Sequence, residues 1–136
     1  MQPIQIQPIG IIHSCFKEKF ATPRQPGLVT AASAQVELIA PYNLADAVEG
    51  LVEFSHIWLT FAFHQTAQQG WKPKVRPPRL GGNAKLGVFA TRSTFRPNPL
   101  GLSLVKLDSI DTNKGVILHV SGADLIEGTP IIDIKP

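Results

Sequence analysis

A chain interrupted this often by proline and glycine has little room for long helices. There are 12 prolines and 11 glycines among 136 residues, which favours short elements joined by fixed turns. Within those limits the hydrophobic pattern reads mostly as β. Val116, Leu118 and Val120 alternate with Ile117, His119 and Ser121, the cleanest period-two signal in the chain. Ile4, Ile6 and Ile9 to Ile12 predict a first strand broken near Pro8, and Gln35 to Ile39 a second. Ser55 to Phe63, rich in aromatic and branched residues, predicts a strand buried on both faces. Leu86 to Thr91, Leu102 to Ile110 and Ile131 to Ile134 complete the set.

Asn43 can cap a helix whose apolar stripe is Leu44, Ala47, Val48 and Leu51, with Asp46 as a capping-box-like acid. Asp111 to Gly115 has hairpin chemistry, with Asn113 and Gly115 both able to take positive φ. The stretch from Thr66 to Lys85 is aperiodic and reads as a long basic loop. About seven short strands, one or two short helices and no βαβ alternation predict an all-β barrel or sandwich. No linker divides residues 1–136, so one domain is expected, with 43% hydrophobic content sufficient for a core. The single cysteine, Cys15, fits a reducing compartment. The start MQPIQIQPIGIIHS has no basic, apolar leader, and no window approaches the roughly 20 apolar residues of a membrane span. A soluble, cytoplasmic protein is expected.

Charge is unevenly distributed. No Asp or Glu occurs between Phe54 and Leu107, a window holding Lys72, Lys74, Arg76, Arg79, Lys85, Arg92, Arg96 and Lys106 out of 13 cations in all. Such a segment creates a positive field and points to a polyanionic partner. Within it, Gly87 to Ser103 (GVFATRSTFRPNPLGLS) concentrates the polar equipment of a binding site. Pro97 and Pro99 stiffen the turn around Asn98. Arg92 and Arg96 are fork donors for carboxylate or phosphate, and Phe89 and Phe95 offer faces on which a base can stack. Two other Gly/Pro-bounded turns carry polar groups: Phe20 to Gly27, with Arg24 and Gln25, and Ser121 to Pro130, with Asp124 and Glu127. The acidic loop can pair with the basic one, or it can receive a ligand's ammonium or ribose hydroxyls.

Several chemistries lack their signals. There is no GxGxxG opening a βαβ unit and no GxxxxGK[ST]. Gly101-Leu-Ser103 begins like a nucleophile elbow, but Val105 stands where the closing glycine belongs, so Ser103 reads as an ordinary strand serine. His13, His56, His64 and His119 have no metal spacing, and eight strand residues would hold His56 and His64 roughly 26 Å apart. No metal is expected.

The segments PRQP, FSHIWLTFAFHQ, RPPRLGG, GVFATRSTFRPNPLGLSLVKL and DLIEGTPIIDIKP, in that order along the chain, resemble the TrmO/TsaA-like tRNA methyltransferase family. The resemblance implies a single-sheeted β-barrel, a homodimer with its site near the interface, and S-adenosylmethionine (SAM) as methyl donor. It implies methylation of the N6 of threonylcarbamoyladenosine beside the tRNA anticodon. Carried across motif by motif, it assigns SAM contacts to Arg24, Gln25, Pro26, His64, Gln65, Phe89, Arg92, Leu102, Asp124, Leu125, Ile126 and Glu127. SAM's carboxylate suits arginine, its ammonium and ribose hydroxyls suit the acids, and its adenine suits Leu102 or Phe89. Lys72, Lys74, Arg76, Arg79 and Arg96 would meet the tRNA backbone, Arg96 alternatively the partner subunit. No general base stands out, with His56, His64 and Asp124 all candidates. Longer family members continue past Lys135-Pro136 into a region that helps to hold tRNA. Two other readings remain open: a non-catalytic RNA-binding barrel, and a SAM- or nucleotide-binding enzyme acting on a small molecule.

Overall fold

The computed structural model describes residues 1–16, 32–64, 70–76 and 84–136. It forms two compact units, Met1–Phe61 with Leu102–Pro136, and Ala62–Gly101. In the first, six strands close into an antiparallel barrel: β1 (Gly10–His13), β2 (Ser33–Leu38), β3 (His56–Ala62), β6 (Leu100–Asp111), β7 (Ile117–Ser121) and β8 (Pro130–Lys135). The order around the barrel is β1-β2-β7-β6-β3-β8. Closure leaves no open sheet edge in this unit. The all-β expectation therefore holds, and the single sheet is a barrel.

Alternating burial runs through the wall. In β2, Ala34, Val36 and Leu38 face in while Ser33, Gln35 and Glu37 face out. In β7, Leu118 and Val120 are buried, continuing the alternation that begins at Val116. The interior is filled by Ile12, Val36, Ile57, Leu59, Val105, Leu118, Val120 and Ile131, so the barrel is a packed core and not a channel. The expectation that Ser55 to Phe63 is buried on both faces is corrected. Ile57, Leu59 and Phe61 point inward, but His56 and Trp58 lie on the outer face. A barrel wall packs on one side only, and aromatic richness in a strand does not change that.

Two register shifts tune the wall. On β6, Leu107 faces Val120 and Ser109 faces His119, so Asp108 is the extra residue of a bulge. A second shift, between β3 and β8, follows Thr60. The β6–β7 hairpin turns as its sequence predicts, with the Asn113 N–H donating to Asp111 Oδ1 at 2.9 Å. Gly115 takes the positive φ (+83°). Asn113 does not, because no non-glycine among the described residues has positive φ.

Three further expectations are corrected. The first strand is only Gly10–His13, and Ile4 and Ile6 are exposed outside it. Instead of one capped helix there are two single 3-10 turns, Ala45–Val48 and Leu51–Glu53, separated by Gly50 at φ +86°. Leu44, not Asn43, occupies the cap position, and of the stripe only Val48 is buried. With so few residues between breaks, an α-helix does not repay its nucleation cost. In the second unit, Leu86 to Thr91 is strand only over β5 (Leu86–Gly87), followed by a 3-10 turn, Val88–Ala90. β5 pairs with β4 (Lys74–Val75), which lies inside the stretch read as aperiodic loop. Elsewhere in that stretch, residues 66–69 and 77–83 lie outside the described residues.

Leu59 is fully enclosed, so Leu59→Ala should cost about 2–5 kcal/mol in urea unfolding, through lost transfer energy and the cavity left behind. Val52→Ala, at an exposed position, should change the same measurement by under about 0.5 kcal/mol.

Candidate functional site

The acidic loop after β7 is tied down at nearly every residue. Ala123 and Leu125 are buried and anchor its apolar side. Ser103, at 2% exposure, sends its hydroxyl from the barrel interior to Asp124 Oδ1 at 3.0 Å. This is the serine read as an ordinary strand residue, and its proton is directed at a carboxylate. The Thr129 hydroxyl donates to the Ile126 carbonyl at 2.6 Å and the Ser14 hydroxyl to the Leu125 carbonyl at 2.6 Å. Backbone bonds from Glu127 N to Phe16 O and from Gly128 N to Ile12 O stitch the loop to the end of β1.

Glu127 is the centre of this arrangement. Its Oε1 accepts the Ser14 backbone N–H at 2.8 Å, and its Oε2 lies 3.0 Å from His13 Nδ1. The other ring nitrogen, His13 Nε2, is 2.9 Å from Glu37 Oε1 on β2. A neutral imidazole carries one N–H and one lone pair, so only the imidazolium donates to both carboxylates. Hydrogen bonding to Glu37, then to Glu127, accordingly raises the His13 pKa above its ordinary value, against a small opposing effect of burial. His13, Gln35 and His119 stand in one cross-strand row. Together with Ser33, Asp108 and Glu127 they border a cleft of about 340 Å³ on the barrel unit.

The Gly87 to Ser103 stretch lies mostly in the second unit, where it forms a self-tied turn. Thr91 Oγ1 donates to Val88 O at 2.8 Å and accepts the Ser93 N–H, and Ser93 Oγ accepts the Phe95 N–H. Arg96 Nη1 reaches the Thr91 carbonyl at 2.8 Å and those of Val88 and Ser93 at 3.3 Å each. Its guanidinium also sits 6.0 Å from the Phe89 ring centre, while Lys72 Nζ lies 4.3 Å above Phe95. The two arginines thus differ. Arg96 holds the turn, whereas Arg92 is exposed. Phe89 is 75% exposed, an open aromatic face beside them.

The other predicted residues are distributed as follows. His64 is exposed just past β3, and Leu102 is exposed on the outer face of β6. Lys72, Lys74 and Arg76 are exposed around β4, in a unit without any Asp or Glu. His56 is exposed and bonded to Ser55 Oγ. Arg24, Gln25, Pro26, Gln65 and Arg79 lie outside the described residues. Among those described, no group of three or more His, Cys, Asp or Glu is placed to hold a metal ion. Sequence reasoning missed His13 and Ser14 as partners of the acidic loop. The available signal was the outward parity of His13 next to buried Ile12, but its partner Glu127 is 114 residues away.

A closed antiparallel barrel with an acidic loop pinned to β1, continuous in sequence with an acid-free unit rich in arginine and lysine, sets the chain among all-β domains and apart from the α/β Rossmann fold. Residues 11–136 match the tRNA-methyltransferase O N-terminal domain, and the chain belongs to that family. It is 61% identical over 137 residues to the tRNA (adenine(37)-N6)-methyltransferase of Escherichia coli K12, covering 100% of this chain and 58% of that protein. It is 38% identical over 133 residues to a probable S-adenosyl-L-methionine-binding protein of Methanothermobacter thermautotrophicus, covering 98% of this chain and 89% of that one. A crystal structure of TrmO superposes with a TM-score of 0.81 at 47% identity, over 99% of this chain and 57% of the other. The chain therefore spans little more than half the length of the E. coli and crystallised relatives.

Removing the Arg96 side chain takes three carbonyls' worth of donors from the turn. Arg96→Ala should destabilise it locally by about 1–3 kcal/mol, read as faster amide exchange at Ser93 and Phe95.

Proposed function

We propose that this chain is the SAM-binding catalytic barrel of a methyltransferase acting on the N6 of threonylcarbamoyladenosine beside the tRNA anticodon. The observation that carries the reading is the loop 123–127, whose two carboxylates are held in place by β1 and Ser103. A binding loop fixed in advance loses little entropy when its ligand arrives. The residues suit SAM chemically. Asp124, Glu127 and the loop carbonyls are acceptors for an ammonium and ribose hydroxyls, and the exposed Arg92 is a fork for a carboxylate. Phe89 and Leu102 expose apolar surface for an adenine. Arg24, Gln25 and Pro26 of the PRQP motif, with His64 and Gln65, belong to the same assignment. When bound, SAM supplies a methyl group on a sulfonium. The chain's own task is to orient donor and acceptor and to exclude water.

Lys72, Lys74, Arg76 and Arg79 are assigned to the tRNA backbone, and Arg96, expected there from the sequence, is assigned instead to holding the turn through the carbonyls of Val88, Thr91 and Ser93. The support is a unit of cations that contains no carboxylate side chain to neutralise them. A homodimer is proposed on the same family grounds, aided by Trp58, Leu102 and Leu104, which expose apolar surface on the neighbouring strands β3 and β6. No helix among the described residues is long and apolar enough to cross a membrane; a cytoplasmic location belongs to the same proposal and is supported by the proposed tRNA substrate.

Calorimetric titration with SAM tests the first part. Binding is expected, and Arg92→Ala should weaken it about tenfold or more, the worth of one charged hydrogen bond. A folded sample that binds no SAM would sink the reading in favour of a non-catalytic RNA-binding barrel.

The salt dependence of tRNA binding tests the second. Lys74→Ala should reduce the slope of log affinity against log salt by about 1 while leaving SAM affinity unchanged. An affinity indifferent to salt would contradict the assignment.

A further inference from the structure

We infer that His13 is a positioning residue for the acidic loop: bridging Glu37 and Glu127, it holds the loop 123–128 in its binding shape and couples SAM affinity to its own protonation. The inference rests on the cofactor reading above for its second half only. Its first half is geometric. Glu127 faces His13 through Oε2 and the Ser14 N–H through Oε1, so one carboxylate joins the loop to β1 at two adjacent residues. Glu37, on β2, takes the opposite side of the ring. Both bonds can be donated only by the imidazolium.

Among the described residues, the titratable groups around His13 are acids and one further histidine. β2 contributes Glu37 and the loop contributes Glu127, while Asp108 of the β6 bulge and His119 of β7 border the same cleft. β8 places Pro130 and Ile131 opposite Ile11 and Gly10, with no titratable group there. Loss of the proton breaks one of the two bonds and leaves Glu37 and Glu127 facing each other across a neutral ring. Because the folded-state pKa is raised, the tie is fully formed below the ordinary histidine value and is lost as pH rises through the raised one. The loop and its carboxylates then loosen on the alkaline side.

The test compares wild type, His13→Gln, His13→Arg and Glu37→Gln between acidic and alkaline pH. SAM affinity is measured by calorimetry, and amide protection factors at Glu127, Gly128 and Thr129 are measured without ligand. SAM's own amine titrates alike in every variant, so the difference between profiles is the readout. Wild type should lose protection and about tenfold in affinity, the worth of one charged hydrogen bond, on the alkaline side. Once the contribution of SAM's amine, common to all variants, is subtracted, His13→Gln should be weak and flat, and His13→Arg, charged throughout, should be tight and flat. Glu37→Gln, which removes the larger of the two bonds that raise the pKa, should move the wild-type midpoint to lower pH. Parallel profiles in wild type and His13→Gln would overturn the inference. Loop protection that follows His13 without any SAM binding would overturn the cofactor reading and leave the coupling of His13 to the loop standing.

Discussion

Closure of the barrel through the four residues of β1 is the constraint on which the rest of the structure depends. β1 pairs with β2 on one side and β8 on the other, and Gly10 stands opposite both Leu38 and Ile131. The approach is so close that a Cβ on Gly10 would lie 2.6 Å from the backbone oxygen of Glu37. A side chain there forces the wall apart at its shortest strand. The same strand runs directly into His13 and Ser14, the residues that grip Glu127. Fold and site are therefore coupled over a few residues. The interactions that close the barrel also fix the height and direction from which the acidic loop is held.

The chemistry is divided along the chain. The barrel unit carries the loop carboxylates, and the 62–101 unit carries arginine, lysine and exposed aromatic groups without any acid of its own. In the second of these units the hydroxyls of Thr91 and Ser93 are spent on the turn itself. The turn's amides are capped by its own hydroxyl oxygens. Arg96 completes the same task from the other direction by satisfying three carbonyls. The turn is rigid because its polar groups bind one another, and Arg92 is left as the group that faces outward.

What could be read from the sequence followed from periodicity, and what could not followed from distance. One-sided burial writes a period of two into β2 and β7, and this was enough to predict an all-β protein. The two-sided burial expected of β3 failed because side-chain type was given more weight than parity, although Ile57, Leu59 and Phe61 keep strict alternation. The helix after Asn43 failed because a stripe of apolar positions is not sufficient when Gly50 breaks it after one turn. The acidic loop was recognised from Gly/Pro punctuation and two carboxylates. Its fastening to His13 had no local signal, because contacts spanning 114 residues exist only once β1 and β8 pair. The membership of the family was carried by motif order, which samples the same long-range constraints that local patterns miss.

A histidine between two carboxylates is an unusual way to fasten a loop when serine, threonine and backbone groups already do so nearby. The bonds from Ser14, Thr129, Gly128 and the Glu127 amide are neutral donors, insensitive to pH. They would hold the backbone of the loop at any proton concentration. Those bonds act on the loop backbone, whereas His13 meets the Glu127 side chain at Oε2 and stands between it and Glu37. Among cationic side chains histidine alone can give up its charge near neutrality. Lysine or arginine there would fasten the loop permanently. Histidine makes the placement of one carboxylate conditional while leaving the backbone scaffold intact. The barrel can thus remain folded on the alkaline side while the placement of the Glu127 carboxylate changes.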